Sequence, residues 1–193
     1  VEEKDLEYLS DEADVIYNLE GFLFPDTYKI PYSYSEKDII KIMYREFKNN
    51  MKPFEKEIEE SKYNLYEVVT IASLIQAEAK VDSEGPLIAS VIYNRLEKRM
   101  QLQLDATVQY VLAERKNRLL YSDLKVDSVY NTYNHYGLPP GPINNPGREA
   151  IKAALNPKES DYLYYVASGD GKHTFTKSYQ EHLEVQKRLN NNY

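Results

Sequence analysis

Hydrophobic residues recur at helical spacing along the first 155 residues. Ser35 precedes an apolar stripe that runs from Ile39 to Phe47, which predicts a helix beginning at Ser35. Asn64 and Glu67 have the spacing of a capping box, and they precede an apolar helix predicted over residues 68–80. The same reasoning predicts further helices from Pro53 to about Glu60, from Pro86 to about Lys98, from a cap at Asp105 or Thr107 through Val111 to Glu114, and from Arg148 to Leu155.

The pattern changes to that of a β-hairpin after residue 160. Residues 162–166 and 173–176 are rich in aromatic and β-branched side chains, and Gly169 and Gly171 lie in the turn between them. Ser178 and Glu181 form a second capping box, which predicts a closing helix to about Leu189. This order predicts an α+β fold: a mainly helical domain with a small antiparallel hairpin and a C-terminal helix.

Two other segments lack regular periodicity. Residues 21–28 read as an extended apolar segment that ends in a turn, and residues 129–146 as a loop whose prolines fix several φ angles. Residues 1–19 are acidic and weakly periodic. We therefore expect them to be a linker or the remnant of a preceding module, and residues 20–193 to form one domain.

Composition excludes several classes of protein. The 193 residues include 24 Lys and Arg against 31 Asp and Glu, a net charge of −7, so no basic stripe exists to bind nucleic acid. The absence of cysteine excludes a disulfide scaffold. No apolar run approaches the roughly 20 residues that span a bilayer. The chain opens at Val1 in a charged stretch without a signal peptide, so we expect a processed or truncated protein whose missing part could hold an anchor.

Glu78 is the first candidate for chemistry. It follows Ile71, Leu74 and Ile75 by seven, four and three residues, so the four side chains share one helix face. Desolvation on such a face raises the pKa of a carboxyl group, and a proton retained near neutral pH suits a general acid of glycosidic cleavage. The alternative, which position alone favours, is a solvated carboxylate that pairs with Lys80 near the helix end.

Polar residues of the later loops form a second group of candidates. Gln103 and Asp105 follow a helix end, and Asn131 and Tyr133 occupy the irregular segment before the prolines. Side chains of these types on rigid loops recognise sugar hydroxyl and N-acetyl groups, although capping of turns explains each one alone. The 19 tyrosines suit a sugar-binding cleft or a partly exposed core. Asn94 and Arg95 belong either to a helix surface or to a salt bridge that supports the site.

Other chemistries find little support. The histidines at 135, 173 and 182 lack the spacing of zinc ligands, so we predict no metal, and His173 is expected to be a hydrogen-bonded structural or cleft-edge residue. Ser73 lacks the Gly-x-Ser-x-Gly elbow of a serine hydrolase. The chain contains no glycine-rich phosphate loop, so we predict no cofactor.

A resemblance to a known family adds more than these spacings do. A set of motifs, taken in chain order, resembles the YceG-like, or MltG-type, endolytic murein transglycosylase family and covers nearly everything from residue 19 onward. They are residues 19–28 (LEGFLFPDTY), 71–78 (IASLIQAE), 91–96 (VIYNRL), 102–108 (LQLDATV), 130–133 (YNTY), 137–143 (GLPPGPI), 156–157 (NP), 162–166 (YLYYV) and 173–175 (HTF).

The resemblance implies an enzyme that cleaves peptidoglycan glycan strands, with Glu78 as its catalytic acid. Family members often have two acids there in a Glu-x-Glu pattern; here the first position is Gln76, and Ala106 replaces a proline common in the family. Gln103, Asp105, Asn131 and Tyr133 are assigned to substrate binding.

The family also implies a membrane helix and a LysM-like module upstream, and hence a location at the extracytoplasmic face of the cell membrane through an anchor absent from this chain. The implied partners are glycan strands and, at the membrane, peptidoglycan synthases and elongation or division proteins. Two alternatives stay open: a hydrolytic muramidase that uses Glu78 with Asp105, and a non-catalytic glycan-binding module.

Overall fold

The structure is a computed structural model that describes residues 17–112, 114–169 and 171–190. The expected linker or module remnant at residues 1–19 therefore lies almost wholly outside the described residues. The described elements are α1 (Glu36–Met51), α2 (Glu55–Glu60), α3 (Leu65–Glu78), α4 (Gly85–Glu97), α5 (Asp105–Val111), α6 (Arg148–Leu155), the strands β1 (Tyr164–Ala167) and β2 (His173–Thr176), and α7 (Tyr179–Asn190), with short 3₁₀ turns at Lys52–Phe54, Asp82–Glu84 and Asp123–Lys125.

Helix α3 is the centre of the core. It begins at the predicted capping box of Asn64 and Glu67, and its residues 68–75 are all buried, because α4 and α6 pack against it. A helix that is apolar on every side is stable only when it is enclosed in this way. Ile88 of α4 and Ile151 of α6 are both completely buried in the shared core.

The C-terminus of α3 places the candidate acid. The helix ends at Glu78, two residues before the predicted end at Lys80, because Ala79 adopts an extended conformation with ψ 113°. Glu78 is therefore the last helical residue, one turn beyond the buried Ile75.

The irregular segment 129–146 is fixed onto α3. The buried Ser73 hydroxyl accepts a hydrogen bond from the Ile143 amide (3.0 Å), and the Ser73 carbonyl accepts one from Asn144 Nδ2 (2.8 Å). Asn145 Oδ1 then accepts hydrogen bonds from the Gly21 and Leu23 amides, which attaches the extended segment near the start of the described chain.

The hairpin and α7 complete the predicted α+β fold, which is confirmed. Strands β1 and β2 pair antiparallel with Tyr165 opposite Phe175, and α7 packs on both strands. The capping box of Ser178 and Glu181 is also confirmed, since each residue's side chain accepts a hydrogen bond from the other's amide.

The predicted start and end of α5 were wrong. Leu104 precedes the helix without a side-chain cap, and Asp105 is its first residue. The Thr107 hydroxyl donates back to the Leu104 carbonyl (2.7 Å) from inside the first turn. The helix ends at Val111, before the predicted Glu114. Within the described ranges, no helix is long and apolar enough to cross a bilayer.

Candidate active site

Two adjoining cavities meet at Glu78 and Asp105, which line both. The hairpin-side cavity, of about 330 Å³, lies between α4, β1 and α7, with residues 102–105 and Tyr133 completing its wall. The α5-side cavity, of about 520 Å³, is lined by α5, the end of α3 and residues 143–144. An extended ligand that occupied both cavities would pass directly over the two carboxyl groups.

Glu78 has the environment of a general acid. Its half-buried carboxyl group accepts a hydrogen bond from the Tyr165 hydroxyl (3.1 Å), so its partner is this tyrosine and not Lys80. Desolvation by burial raises the pKa of Glu78; the Tyr165 hydrogen bond lowers it by a smaller amount, and the nearby Asp105 carboxylate raises it further. The predicted rise in the pKa of Glu78 is confirmed. The carboxyl group therefore keeps its proton to a higher pH than a solvated glutamate does.

Asp105 differs from Glu78 in its surroundings. It is exposed, and it accepts a short hydrogen bond of 2.6 Å from the Tyr133 hydroxyl. Burial and this bond together raise the pKa of the Tyr133 phenol, so the phenol stays a donor at neutral pH. The structure thus brings the predicted residues Asp105 and Tyr133 together with Glu78, and each carboxyl group has its own tyrosine donor.

Gln103 reaches the same cavity through an uncommon backbone conformation. Its φ is +52°, in the left-handed region that costs most residues of order 1 kcal/mol. The conformation is held by two bonds to Thr132: the Gln103 amide donates to its carbonyl (3.1 Å), and the Leu104 amide to its hydroxyl (2.9 Å). The exposed Gln103 side chain lines the hairpin-side cavity, as a substrate contact would.

Asn131 does not reach either cavity, which corrects its predicted role as a substrate contact. Its side chain is 0% exposed; Nδ2 donates to the Leu124 and Val126 carbonyls (3.0 and 2.8 Å), and Oδ1 accepts from the Tyr133 amide (3.0 Å). Both ends of the amide are therefore occupied within the loop. Asn131 acts on the site by holding the backbone of Tyr133.

Arg95 also proves to be internal, so the helix surface considered for it was wrong, and among the described residues its partners are backbone carbonyls and not a carboxylate. The buried guanidinium donates to three backbone carbonyls, those of Leu163 (2.6 Å), Gln101 (3.1 Å) and Leu102 (2.8 Å). It also lies 4.9 Å from the centre of the Tyr164 ring. Arg95 thereby joins α4 to the hairpin and to the segment that precedes α5.

His173 is confirmed as a hydrogen-bonded structural residue. Its ring Nδ1 lies 2.8 Å from Glu84 Oε2, and its amide donates to Glu84 Oε1 (2.9 Å). The His173 ring meets the Tyr165 ring edge to face, with centres 5.2 Å apart. The Glu84–His173 pair thus fixes the hairpin to the 3₁₀ turn Asp82–Glu84 between α3 and α4, and the neighbouring Tyr165 hydroxyl reaches Glu78.

Sequence reasoning missed Tyr165, Glu84 and the α7 wall of the cavity. Tyr165 is 87 residues from Glu78, and it is one of three tyrosines in residues 162–165, so no spacing selects it.

Gln76, which replaces a family acid, has a structural partner: its Oε1 accepts a hydrogen bond from the Gly147 amide (3.0 Å) at the start of α6. Glu78 is thus the carboxyl group that α3 presents to the cavities.

Comparisons with known proteins identify the family of the chain. The sequence pattern of the YceG-like family matches residues 1–188. The chain is 42% identical over 178 residues to the endolytic murein transglycosylase of Bacillus subtilis (strain 168), and this match covers 91% of the chain and 49% of that protein. It is 34% identical over 172 residues to the protein of the same name from Streptococcus pneumoniae (strain D39), covering 86% of the chain and 31% of the relative.

A solved structure shows the same fold. The crystal structure of a yceG-like protein from Listeria monocytogenes matches with a TM-score of 0.85 at 42% identity, over 90% of this chain and 57% of that one. The chain spans about half the length, or less, of the named relatives it matches. The family match extends over nearly the whole chain, and the chain belongs to the YceG-like family.

Proposed function

We propose that this chain carries the active site of a lytic transglycosylase that cleaves the bond between N-acetylmuramic acid and N-acetylglucosamine within peptidoglycan strands. The observation that carries the proposal is the position of Glu78, a carboxyl group with a raised pKa where two cavities meet. The names of the Bacillus and Streptococcus relatives support the class of substrate. Because the cavities adjoin at Glu78, a strand can extend from the cut in both directions, which suits cleavage within a strand.

One carboxyl group suffices for this reaction. Protonated Glu78 gives its proton to the bridging oxygen as the bond from that oxygen to the anomeric carbon of N-acetylmuramic acid breaks. The 6-hydroxyl of the same sugar attacks the anomeric carbon, and the Glu78 carboxylate takes the hydroxyl proton. The products are a free N-acetylglucosamine 4-hydroxyl and a 1,6-anhydro end. No water is consumed, and Glu78 returns to its protonated form.

The Tyr165 hydroxyl supports both steps. It donates to Glu78 and so stabilises the carboxylate formed after the first proton transfer. Burial disfavours the Glu78 carboxylate, whereas the Tyr165 hydrogen bond favours it. Because these two effects oppose each other, Glu78 can give a proton in the first step and accept one in the second. Gln103 and Tyr133, which line the hairpin-side cavity, are proposed to position the sugar.

A hydrolytic muramidase is the second candidate. Asp105 lines both cavities beside Glu78, where it could activate a water or stabilise the charged intermediate. Its short hydrogen bond from the Tyr133 hydroxyl occupies one carboxyl oxygen and fixes the side chain in place, which suits positioning of the sugar better than attack on a water. A non-catalytic glycan-binding module is disfavoured, because binding alone does not require a half-buried acid with a raised pKa and its own hydroxyl donor.

The test is a Glu78→Gln variant acting on purified sacculi. Glutamine keeps the size and the hydrogen bond from Tyr165 but has no proton to give as an acid, so we expect cleavage to fall by about 100-fold to 10,000-fold. Glu97→Gln is the matched control: it is the last residue of α4, exposed and outside both cavities, and it should cleave like wild type. Full activity in Glu78→Gln would contradict the proposal.

The place of action follows from the proposed substrate. Peptidoglycan lies outside the cytoplasmic membrane, so we propose that the protein acts at the extracytoplasmic face of that membrane. Peptidoglycan synthases and division or elongation proteins remain predicted partners.

A further inference from the structure

Helix α7 forms a wall of the hairpin-side cavity that the proposed chemistry does not use. Tyr179, His182 and Gln186 of this helix all line the cavity, and their spacing of three and then four residues places them on one helix face. Glu78 lines the same cavity. The last helix of the fold therefore faces any ligand bound beside the catalytic acid.

This wall is built on an aromatic stack. The Tyr164 ring has the Arg95 guanidinium 4.9 Å from its centre, and it stacks on the His182 ring with centres 5.3 Å apart and planes at 28°. The Tyr179 ring joins the stack at 5.9 Å from Tyr164, yet 59% of its residue surface remains exposed. A buried arginine with three hydrogen bonds thus supports rigid rings whose outermost member is open to a ligand.

The α7 wall is also uncharged. Burial and the nearby Arg95 lower the pKa of His182, so its ring is neutral at neutral pH. Gln186 offers an amide donor and acceptor, and Tyr179 a ring face with a hydroxyl at its edge. In a chain with a net charge of −7, a neutral wall of this kind suits a ligand that has an apolar face and amide groups but no charge of its own at that point.

We propose that Tyr179, His182 and Gln186 form a saccharide subsite for one N-acetylhexosamine of the glycan strand, next to the bond that is cut. The sugar's apolar face would stack on Tyr179, and its acetamido group would hydrogen-bond with the polar side chains of α7. This inference rests on the proposed function. It assigns the part of the glycan strand on one side of the cleaved bond to the hairpin-side cavity. The α5-side cavity, with Arg115 and Gln109, then receives the other side.

Binding measurements on an inactive protein test the subsite without interference from cleavage. The probe is a peptide-free tetrasaccharide of alternating N-acetylglucosamine and N-acetylmuramic acid, titrated by calorimetry into the full chain carrying Glu78→Gln. In that background Tyr179→Ala should raise Kd about tenfold, equivalent to about 1.4 kcal/mol, which lies within the range of aromatic contacts. Tyr179→Phe should stay within about threefold of the parent because it keeps the ring.

Two control variants have no place in the subsite. Glu184→Ala changes an exposed α7 residue that does not line the cavity, and Tyr121→Ala removes a tyrosine that is 88% exposed elsewhere. Both should bind like the parent. Thermal unfolding midpoints equal to the parent's would show that Tyr179→Ala acts through binding and not through loss of the fold.

The outcomes separate this inference from the proposed function. An unchanged Kd in Tyr179→Ala, together with weaker binding in Arg115→Ala, would overturn the α7 subsite while leaving the glycan cleft in place. If Tyr179→Ala weakens the binding of peptide-bearing fragments only, the proposal is also overturned, because the α7 wall would then bind the peptide and not the sugar. A wild-type chain that neither cleaves sacculi nor binds the tetrasaccharide would contradict the proposed function itself.

Discussion

The Asn131→Ala variant separates a structural role from a substrate contact at one position. Asn131 was predicted from sequence to bind the glycan, whereas the structure buries it completely beneath Tyr133. Alanine leaves its partners in place: the Leu124 and Val126 carbonyls and the Tyr133 amide. We therefore expect the main effect on stability, with a secondary effect on the position of Tyr133.

The expected magnitude follows from the three hydrogen bonds that are lost. Each contributes about 0.5–1.5 kcal/mol net, and a buried group left without a partner costs about 1–3 kcal/mol. A loss near 3 kcal/mol in the free energy of unfolding is the central expectation, since water entering the space relieves part of the penalty. For a chain of this size, such a loss lowers the thermal midpoint by about 6–12 °C.

Urea unfolding followed by far-ultraviolet circular dichroism measures this change. The neighbouring Asn134→Ala is the matched control, because Asn134 is exposed and its Nδ2 has a weaker bond of 3.2 Å to the same Val126 carbonyl. It should lose less than about 1 kcal/mol. An Asn131→Ala protein as stable as wild type, with a raised KM for glycan and an unchanged kcat, would refute the structural role and restore the substrate contact.

Two further predictions concern the acid and the segment near the start of the described chain. Tyr165→Phe removes the hydrogen bond that lowers the pKa of Glu78, so this pKa should rise. The alkaline limb of the pH profile of kcat/KM should therefore move to higher pH. A limb that does not move, or that moves to lower pH, would contradict the assignment of Glu78 as the acid. In Gly21→Ala, a Cβ at φ +88° would lie 2.5 Å from Pro142 Cγ, so thermal unfolding should show a loss of about 3 kcal/mol or more. Gly137→Ala, at φ +87° with open space around its Cβ, should lose only about 1 kcal/mol, and equal losses in the two variants would show that the clash contributes nothing.

Sequence reasoning predicted the elements well where local signals decide them. The capping boxes at Asn64 and Ser178, the bounds of α6 and the hairpin all depend on residues a few positions apart, and all agree with the structure. The end of α3 was missed by two residues because Gln76–Lys80 contains no helix breaker. The backbone becomes extended at Ala79, a change that sequence periodicity does not report.

The candidate site was predictable only in part for a related reason. Glu78 and Asp105 carry recognisable chemistry in their own segments, but their donors come from distant parts of the chain. Tyr165 reaches Glu78 across 87 residues, and Tyr133 reaches Asp105 across 28. Asn131 shows the opposite error: a polar residue near a site was assigned to the substrate, although the loop's own backbone uses all of its hydrogen-bonding groups.

The central claim is that Glu78 alone carries the proton transfers and that the sugar's own hydroxyl is the nucleophile. The most direct test is the mass of the fragments released from sacculi by wild type and by Asp105→Asn. The account predicts 1,6-anhydro ends from wild type, and the same ends at a reduced rate from the variant, since Asp105 is not needed as a base. Fragments heavier by one water from wild type, lost in Asp105→Asn, would contradict it and identify a hydrolase that uses both carboxyl groups.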